Sequence, residues 1–168
     1  SVLRNYRLAE DFRGKLRKRV GRDIIFIERN LNFLKPGGRM AIVLPQGRLN
    51  NKSDKYIRDF IMSRARILAV VSLHTNTFKP HSGTKTSVLF LQKWDEKLCP
   101  YKEDYPIFFA TSRKPGKDNS GDYILKKNPD GSLVIDEYDH FVYDHDLDEV
   151  AEAFIKFAKK EKVSFWSN

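Results

Sequence analysis

Runs of apolar residues alternate with polar loops along the first part of the chain. Ile24, Ile27 and Leu31 recur at helical spacing and predict a helix over about residues 23–34. The sequence Lys35-Pro-Gly-Gly ends this helix, because Pro cannot continue it and Gly readily adopts the left-handed cap. The continuous apolar run over residues 39–45 then indicates a buried strand of an α/β sheet.

The same pattern continues to residue 93. A polar loop over residues 46–52 precedes a second amphipathic helix, and buried strands are predicted at 66–73 and 86–93. About a dozen residues without a helical pattern join these two strands, which favours hairpin-like antiparallel pairing over a crossover. The sequence therefore predicts half of an open α/β sheet that is closed by an antiparallel edge strand.

The pattern changes after Trp94. Residues 105–111 are strand-like, residues 112–121 form a loop rich in Lys, Gly and Ser, and residues 128–131 have the composition of a turn. Residues 146–160 predict a helix with acids in its first turns and lysines in its last, as the helix macrodipole favours. We therefore divide the chain into a unit at residues 1–94 and a mixed α+β tail at residues 95–168.

Charge is unevenly distributed along the chain, whose formal net charge is +9. Residues 1–127 contain 27 Lys or Arg against 12 Asp or Glu, whereas residues 128–155 contain nine acids and no Lys or Arg. A basic body attracts polyanions such as nucleic acid, although a solvated basic surface is the alternative. We expect the acidic segment to face a basic partner or to fold back on the basic body.

Several classes of site do not match the sequence. Cys99 is the only cysteine, which excludes an internal disulfide and a Cys-based metal cluster and fits a reducing, cytoplasmic location. No apolar run approaches the roughly 18 residues of a membrane span, so we expect no membrane partner. The chain has no glycine-rich phosphate-binding motif. His140 and His145 lie among acids, a pattern more typical of a solvated acidic surface than of a metal site.

The loop Thr77-Phe-Lys-Pro-His-Ser-Gly-Thr-Lys presents an aromatic side chain on a basic segment just before a strand. Taken alone, these residues allow two interpretations. Phe78 is either a hydrophobic plug under its own loop or a flat surface on which a base removed from its helix stacks. The loop at residues 45–51 follows the carboxyl end of a strand, where open α/β sheets bind ligands.

Three motifs in this order carry a resemblance to a known family. They are Lys35-Pro-Gly-Gly-Arg, Val43-Leu-Pro and Phe78-x-Pro-x-x-Gly-Thr-Lys-Thr-Ser. They closely resemble the adenine-N6 DNA methyltransferases, and most of all the modification (M) subunits of type I restriction–modification systems. The likeness covers about residues 6–94. It implies the second half of a Rossmann-like S-adenosylmethionine-dependent methyltransferase sheet.

The resemblance also implies what this chain lacks. In that family an Asn-Pro-Pro-aromatic motif performs catalysis and a glycine-rich loop binds S-adenosylmethionine, and neither occurs here. We therefore expect no catalytic, cofactor-binding or metal-binding residue in this chain. We expect S-adenosylmethionine to be bound mainly by a missing N-terminal half that ends just before residue 1, and the chain alone to be inactive.

The resemblance assigns roles to few residues. Phe78 matches the position at which related enzymes stack an aromatic ring on the flipped adenine. The basic residues expected to contact DNA are Arg13, Lys15, Arg17, Lys18, Arg19, Arg22, Lys79 and Lys85. The residues expected to shape the loops are Pro45, Gly47, Asn50, Gly83 and Thr84.

The implied function is methylation of adenine N6 in double-stranded DNA by the intact enzyme. Its implied partners are a specificity subunit and a restriction subunit, with the tail as a candidate contact. The alternative is a non-catalytic module for nucleic-acid binding or subunit interaction, derived from the same fold.

Overall fold

A computed structural model describes residues 2–163 of the chain. Its helices and strands are α1 (Arg22–Phe33), β1 (Arg39–Pro45), α2 (Gly47–Asn50), α3 (Lys55–Met62), β2 (Ala65–Ser72), β3 (Thr86–Lys93), β4 (Phe108–Thr111) and α4 (Leu147–Glu161). Most agree with the predicted elements to within one residue, but the predicted loop after β1 contains the one-turn helix α2 and β4 is shorter than predicted. Residue 1 and residues 164–168 of the two predicted units lie outside the described residues.

The strands form one mixed sheet in the order β1-β3-β2-β4. Strand β3 is antiparallel to both β1 and β2, and β4 is parallel to β2. The predicted α/β class and the antiparallel pairing of β2 with β3 are confirmed. The predicted edge position of the antiparallel strand is wrong, because β3 inserts between β1 and β2 and forms backbone pairs on both of its edges. The edges of the described sheet are β1 and β4.

Helices cover both faces of the sheet. Side chains that alternate along β3 point to opposite faces, so Leu89 and Leu91 join one core while Phe90 joins the other. The first core also contains the buried side chains of α1 and α3, namely Ile24, Ile27, Leu31, Ile57, Phe60 and Ile61. In the second core, Phe154 of α4 packs against Phe90 and Phe108 with ring centroids 6.4 and 5.5 Å apart.

The turn after α1 depends on a glycine within it and on the last residue of β3. Gly37 has a φ of +71°, which side-chain-bearing residues rarely adopt. The Lys93 ammonium donates hydrogen bonds to the carbonyls of Leu31 and Leu34 at 2.9 and 2.8 Å. These two carbonyls belong to the last turn of α1, so Lys93 both satisfies them and places positive charge at the helix carboxyl end.

Asp146 joins the start of α4 to the end of β4. Its carboxylate accepts hydrogen bonds from the Ser112 hydroxyl at 2.6 Å and from the backbone N–H groups of Arg113 and Lys114 at 2.6 and 3.1 Å. Burial raises the pKa of Asp146, but these hydrogen bonds outweigh it and hold the pKa below its ordinary value of 3.8. The ionised carboxylate therefore fixes where α4 begins relative to the sheet.

Residues 123–143 lie outside the four strands of the sheet and are held together by isolated bridges, and we call them the tail protrusion. Isolated antiparallel bridges join Leu125 to Tyr143, Lys127 to Leu133 and Ile135 to Phe141. Large apolar side chains of the protrusion remain exposed, namely Tyr123, Ile124, Leu133, Ile135, Tyr138, Phe141 and Tyr143. Within residues 2–163, no helix has the length and apolar character needed to cross a membrane.

Candidate functional site

Two of the loops singled out by the sequence meet at one end of the sheet. Because β3 runs antiparallel between β1 and β2, the carboxyl ends of β1 and β2 lie beside the amino end of β3. Pro45 pairs with Thr86, and Ser72 pairs with Ser87. The Gln46 N–H donates to the carbonyl of Lys85 at 3.0 Å, which ties the loop after β1 to the loop before β3. The two loops are therefore neighbours at this end of the sheet.

The Phe78 loop, residues 73–85, is a series of tight turns. The Thr77 N–H donates to the His74 carbonyl at 3.1 Å and the Lys79 N–H to the Asn76 carbonyl at 3.0 Å. The Ser82 N–H donates to the Phe78 carbonyl at 2.9 Å. Phe78 itself is 38% exposed, whereas a hydrophobic plug would be buried. The loop thus presents part of an aromatic side chain to solvent from a backbone that is hydrogen-bonded on both sides of it.

A cavity of about 600 Å³ opens at the same end of the sheet. Its polar lining includes Gln46, Asn50, Ser72, Ser87, Thr111 and Arg113, and Phe78 does not belong to it. Among its described lining residues the charged one is Arg113, and there is no carboxylate. S-adenosylmethionine carries a cationic sulfonium and a ribose, which acidic side chains recognise. These residues do not fit that cofactor.

The basic segment before α1 is folded rather than extended. The carboxylate of Asp11 accepts hydrogen bonds from the backbone N–H groups of Lys15 and Arg13, both at 2.9 Å. These two bonds lower the pKa of Asp11 below its ordinary value. Exposed basic side chains of this segment are Arg13, Lys15, Lys18 and Arg19, and Arg22 at the start of α1 is exposed as well, whereas Arg17, Lys79 and Lys85 are half-buried.

Arg17 is engaged within the fold. Its Nε donates to the Glu10 carbonyl at 3.2 Å, and its guanidinium carbon lies 4.5 Å from the centroid of the Tyr56 ring. Arg17 therefore packs the basic segment against α3, unlike the exposed basic residues that follow it.

Sequence reasoning missed Arg48, which fixes the loop after β1. Its guanidinium donates to Asp23 at 2.6 Å and to Asp54 at 3.1 Å, joining α2 to α1 and to the residue that precedes α3. The hydrogen bond to Asp23 raises the pKa of Arg48 above its ordinary value, against an opposing effect of burial. The only sequence signal for this role is an arginine in the predicted loop, with one acid 25 residues before it and another six residues after it.

The residues expected to shape the loops differ in how tightly they are constrained. Pro45 closes β1, and Asn50 lines the cavity. The Thr84 N–H donates to the Ser82 hydroxyl at 3.2 Å. A Cβ on Gly47 would lie 2.9 Å from the flexible Asn51 amide, and one on Gly83 would make an ordinary 3.5 Å contact with Lys79. The structure therefore gives no steric requirement for glycine at position 83.

The two histidines of the tail take part in separate local contacts. His140 Nδ1 lies 3.6 Å from Asp136, and His145 Nδ1 accepts the Leu147 N–H at 3.3 Å. In the part of the chain that the structure describes, no group of three His, Cys, Asp or Glu side chains is arranged to hold a metal ion.

Comparison with known proteins adds a family to this geometry. The sequence profile of the N-6 DNA methylase family matches residues 3–165. The type I restriction enzyme EcoEI methylase subunit of Escherichia coli is 28% identical over 102 residues, which are 59% of this chain and 21% of that protein. The chain thus spans about a fifth of the length of this curated relative.

Solved structures resemble the fold. A protein described as a class I S-adenosylmethionine-dependent methyltransferase of Listeria monocytogenes superimposes with a TM-score of 0.51 and 21% identity, covering 65% of this chain and 31% of that one. A structure from a study of assembly and conformational transition in the type I restriction–modification system gives a TM-score of 0.52 and 18% identity, covering 86% and 26%. Since the family profile spans nearly the whole chain, this protein belongs to the N-6 DNA methylase family.

Proposed function

We propose that this chain is part of the modification subunit of a type I restriction–modification system. The complete protein transfers a methyl group from S-adenosylmethionine to N6 of adenine in double-stranded DNA. The observation that carries this proposal is the partly exposed Phe78 on a hydrogen-bonded loop at the carboxyl end of the sheet, in a chain of the N-6 DNA methylase family.

Phe78 stacks on the target adenine after the base leaves the duplex. A base inside the helix hides its exocyclic amine in pairing and stacking, so methylation requires the base to be extruded. An aromatic side chain on a fixed loop compensates for part of the stacking that the base loses, at about 1–3 kcal/mol per base. The turns on both sides of Phe78 limit how far this side chain can move.

The exposed basic side chains before and at the start of α1, together with the Phe78 loop, contact the DNA backbone. Arg13, Lys15, Lys18, Arg19 and Arg22 are exposed, so their charges are available to phosphates. Lys79 and Lys85 follow Phe78 in the same loop and supply further positive charge for the DNA. Arg17 contributes mainly by holding this segment in place.

The groups that bind S-adenosylmethionine and perform the transfer lie outside this chain, which alone is inactive. Strand β1 is an edge of the described sheet. Its sequence is nevertheless apolar, and its Val43 side chain is 47% exposed. An apolar edge of this kind readily pairs with a further strand. We infer that the remaining half of the methyltransferase sheet adds at this edge, consistent with the cavity lining that does not fit the cofactor.

The tail contacts a second subunit of the system. The tail protrusion exposes aromatic side chains among acids, including Tyr138 and Phe141, which are 70% and 54% exposed. Acids repel DNA, whereas exposed aromatics are enriched where proteins bind one another. A basic, partly apolar surface on the specificity subunit therefore fits this part of the chain.

Methylation kinetics of the complete protein test the role of Phe78. We expect Phe78→Ala to lower kcat/KM by about tenfold to a hundredfold, since about 1–3 kcal/mol of stacking is lost. Phe78→Tyr keeps the flat ring and should retain most of the activity. Phe33→Ala is the matched control, because it removes another exposed phenylalanine, 71% exposed at the carboxyl end of α1 and outside the Phe78 loop.

Two results would contradict the proposal. Equal kcat/KM for the wild type and Phe78→Ala would remove the base-stacking role. Salt-dependent DNA binding by the complete protein without any methyl transfer would instead favour a non-catalytic binding module derived from this fold.

A further inference from the structure

A tight hairpin of the tail packs against the Phe78 loop, and we call residues 117–123 the brace hairpin. Lys117 and Tyr123 form an antiparallel bridge at its base, and the Lys117 ammonium lies 5.0 Å from the centroid of the Tyr123 ring. Its tip is closed by the Asp118 carboxylate, which accepts the backbone N–H groups of Ser120, Gly121 and Asp122 at 2.8, 2.8 and 3.0 Å. The brace hairpin is therefore a preformed unit.

The first contact of the brace hairpin is with Asn76, two residues before Phe78. Asn76 is only 7% exposed. Its side-chain amide donates to Asn119 Oδ1 at 3.0 Å and to the Lys117 carbonyl at 3.5 Å. A buried amide needs such partners, because an unpaired one is costly. Asn119 thus supplies the shorter of the two contacts that allow Asn76 to be buried.

The second set of contacts lies just after Phe78. The Lys117 ammonium donates to the Lys79 carbonyl at 2.9 Å. Gly121, with a φ of +101°, approaches so closely that a Cβ there would lie 2.6 Å from the Pro80 nitrogen. The brace hairpin therefore contacts the chain on both sides of Phe78, at the Asn76 side chain and at the Lys79 carbonyl, through residues about 40 positions later in the chain.

We propose that Asn119 and Lys117 are positioning residues that hold Phe78 in the orientation in which it receives the extruded adenine. This inference rests on the proposed function of Phe78. The tail then has a second role besides subunit contact, since it completes the base-binding loop. Neither side chain touches the base: Asn119 acts through the Asn76 side chain, and Lys117 acts through the Lys79 carbonyl.

Hydrogen exchange and steady-state kinetics of the complete protein test this inference together. In Asn119→Ala we expect about tenfold faster amide exchange at Lys79 and Ser82, whose N–H groups close turns of the Phe78 loop. We expect kcat for methylation to fall about tenfold while the KM for S-adenosylmethionine is unchanged. Asn119→Asp keeps an oxygen acceptor for Asn76 and should restore both exchange and kcat.

The matched control is Asn128→Ala, in another turn of the tail, where the Asn128 side-chain amide donates to the Ser132 hydroxyl at 3.0 Å. The inference would be overturned if the amides of the Phe78 loop exchanged at the same rate in Asn119→Ala as in this control. Faster exchange with unchanged kcat would also overturn it, because the loop's order would then not matter for catalysis. If Phe78→Ala also leaves kcat unchanged, the proposed function of Phe78 fails, and the exchange measurement alone decides whether the brace hairpin orders the loop.

Discussion

Neighbouring basic residues in the segment before α1 have different surroundings and therefore different roles. Arg17 donates to the Glu10 carbonyl and stacks on Tyr56, so part of its side chain is used within the fold. Lys18 and Arg19, which follow directly in the chain, are exposed. A count of charges in the sequence treats all three alike, whereas only the exposed pair is fully available to DNA phosphates.

This difference predicts how DNA binding depends on salt. Replacing Lys18 and Arg19 by Ala in the complete protein should reduce the slope of log affinity against log salt by about 1.8, since each phosphate contact contributes about 0.9. Arg17→Ala should change the slope less and mainly loosen the packing against α3. Lys159 and Lys160, at the other end of the chain, provide a control pair. An unchanged slope in the Lys18 and Arg19 variant would remove these residues from the DNA interface.

At the scale of elements, the helices and strands follow closely from local periodicity. The predictions of α1 and α4 agree with the structure because each helix buries one consistent face, and those of β1 and β3 agree because both are short apolar runs that pair within the sheet. The position of β3 between β1 and β2 could not be read in this way, because strand pairing depends on contacts between distant segments. The contact of Asn76 with Asn119 could not be predicted for the same reason, since 43 residues separate them in the chain.

The tail protrusion carries a prediction at this scale. Replacing Tyr138 and Phe141 by Ser should weaken binding of the specificity subunit about tenfold or more, because exposed aromatics commonly supply the largest single contributions to an interface. The fold should be unaffected, as both side chains are largely exposed. Binding should also weaken with added salt, since the protrusion is acidic. Titration calorimetry against the purified specificity subunit measures both effects.

Phe33→Ser provides the comparison for that titration, because it removes an exposed aromatic from α1 rather than from the protrusion. Equal affinities for the wild type and the double variant would show that the protrusion does not contact this partner.

For the whole molecule, charge and topology divide the surface into three regions. In the proposed enzyme, the basic residues before α1 lie at the DNA, the acidic protrusion faces a protein partner, and the β1 edge of the described sheet adjoins the rest of the methyltransferase sheet. The Phe78 loop connects these regions, since it follows β2, precedes β3 and rests on the brace hairpin of the tail. In the proposed enzyme, the Phe78 loop receives the target base.

The fluorescence of 2-aminopurine placed at the target adenine tests that claim most directly. We expect fluorescence to rise when the complete protein binds such DNA, because the base leaves the helical stack. Loss of the stacking partner in Phe78→Ala should change the enhancement by about twofold or more, whereas Phe33→Ala should match the wild type. An enhancement that is the same in Phe78→Ala as in the wild type would contradict the assignment of Phe78 as the base-stacking residue.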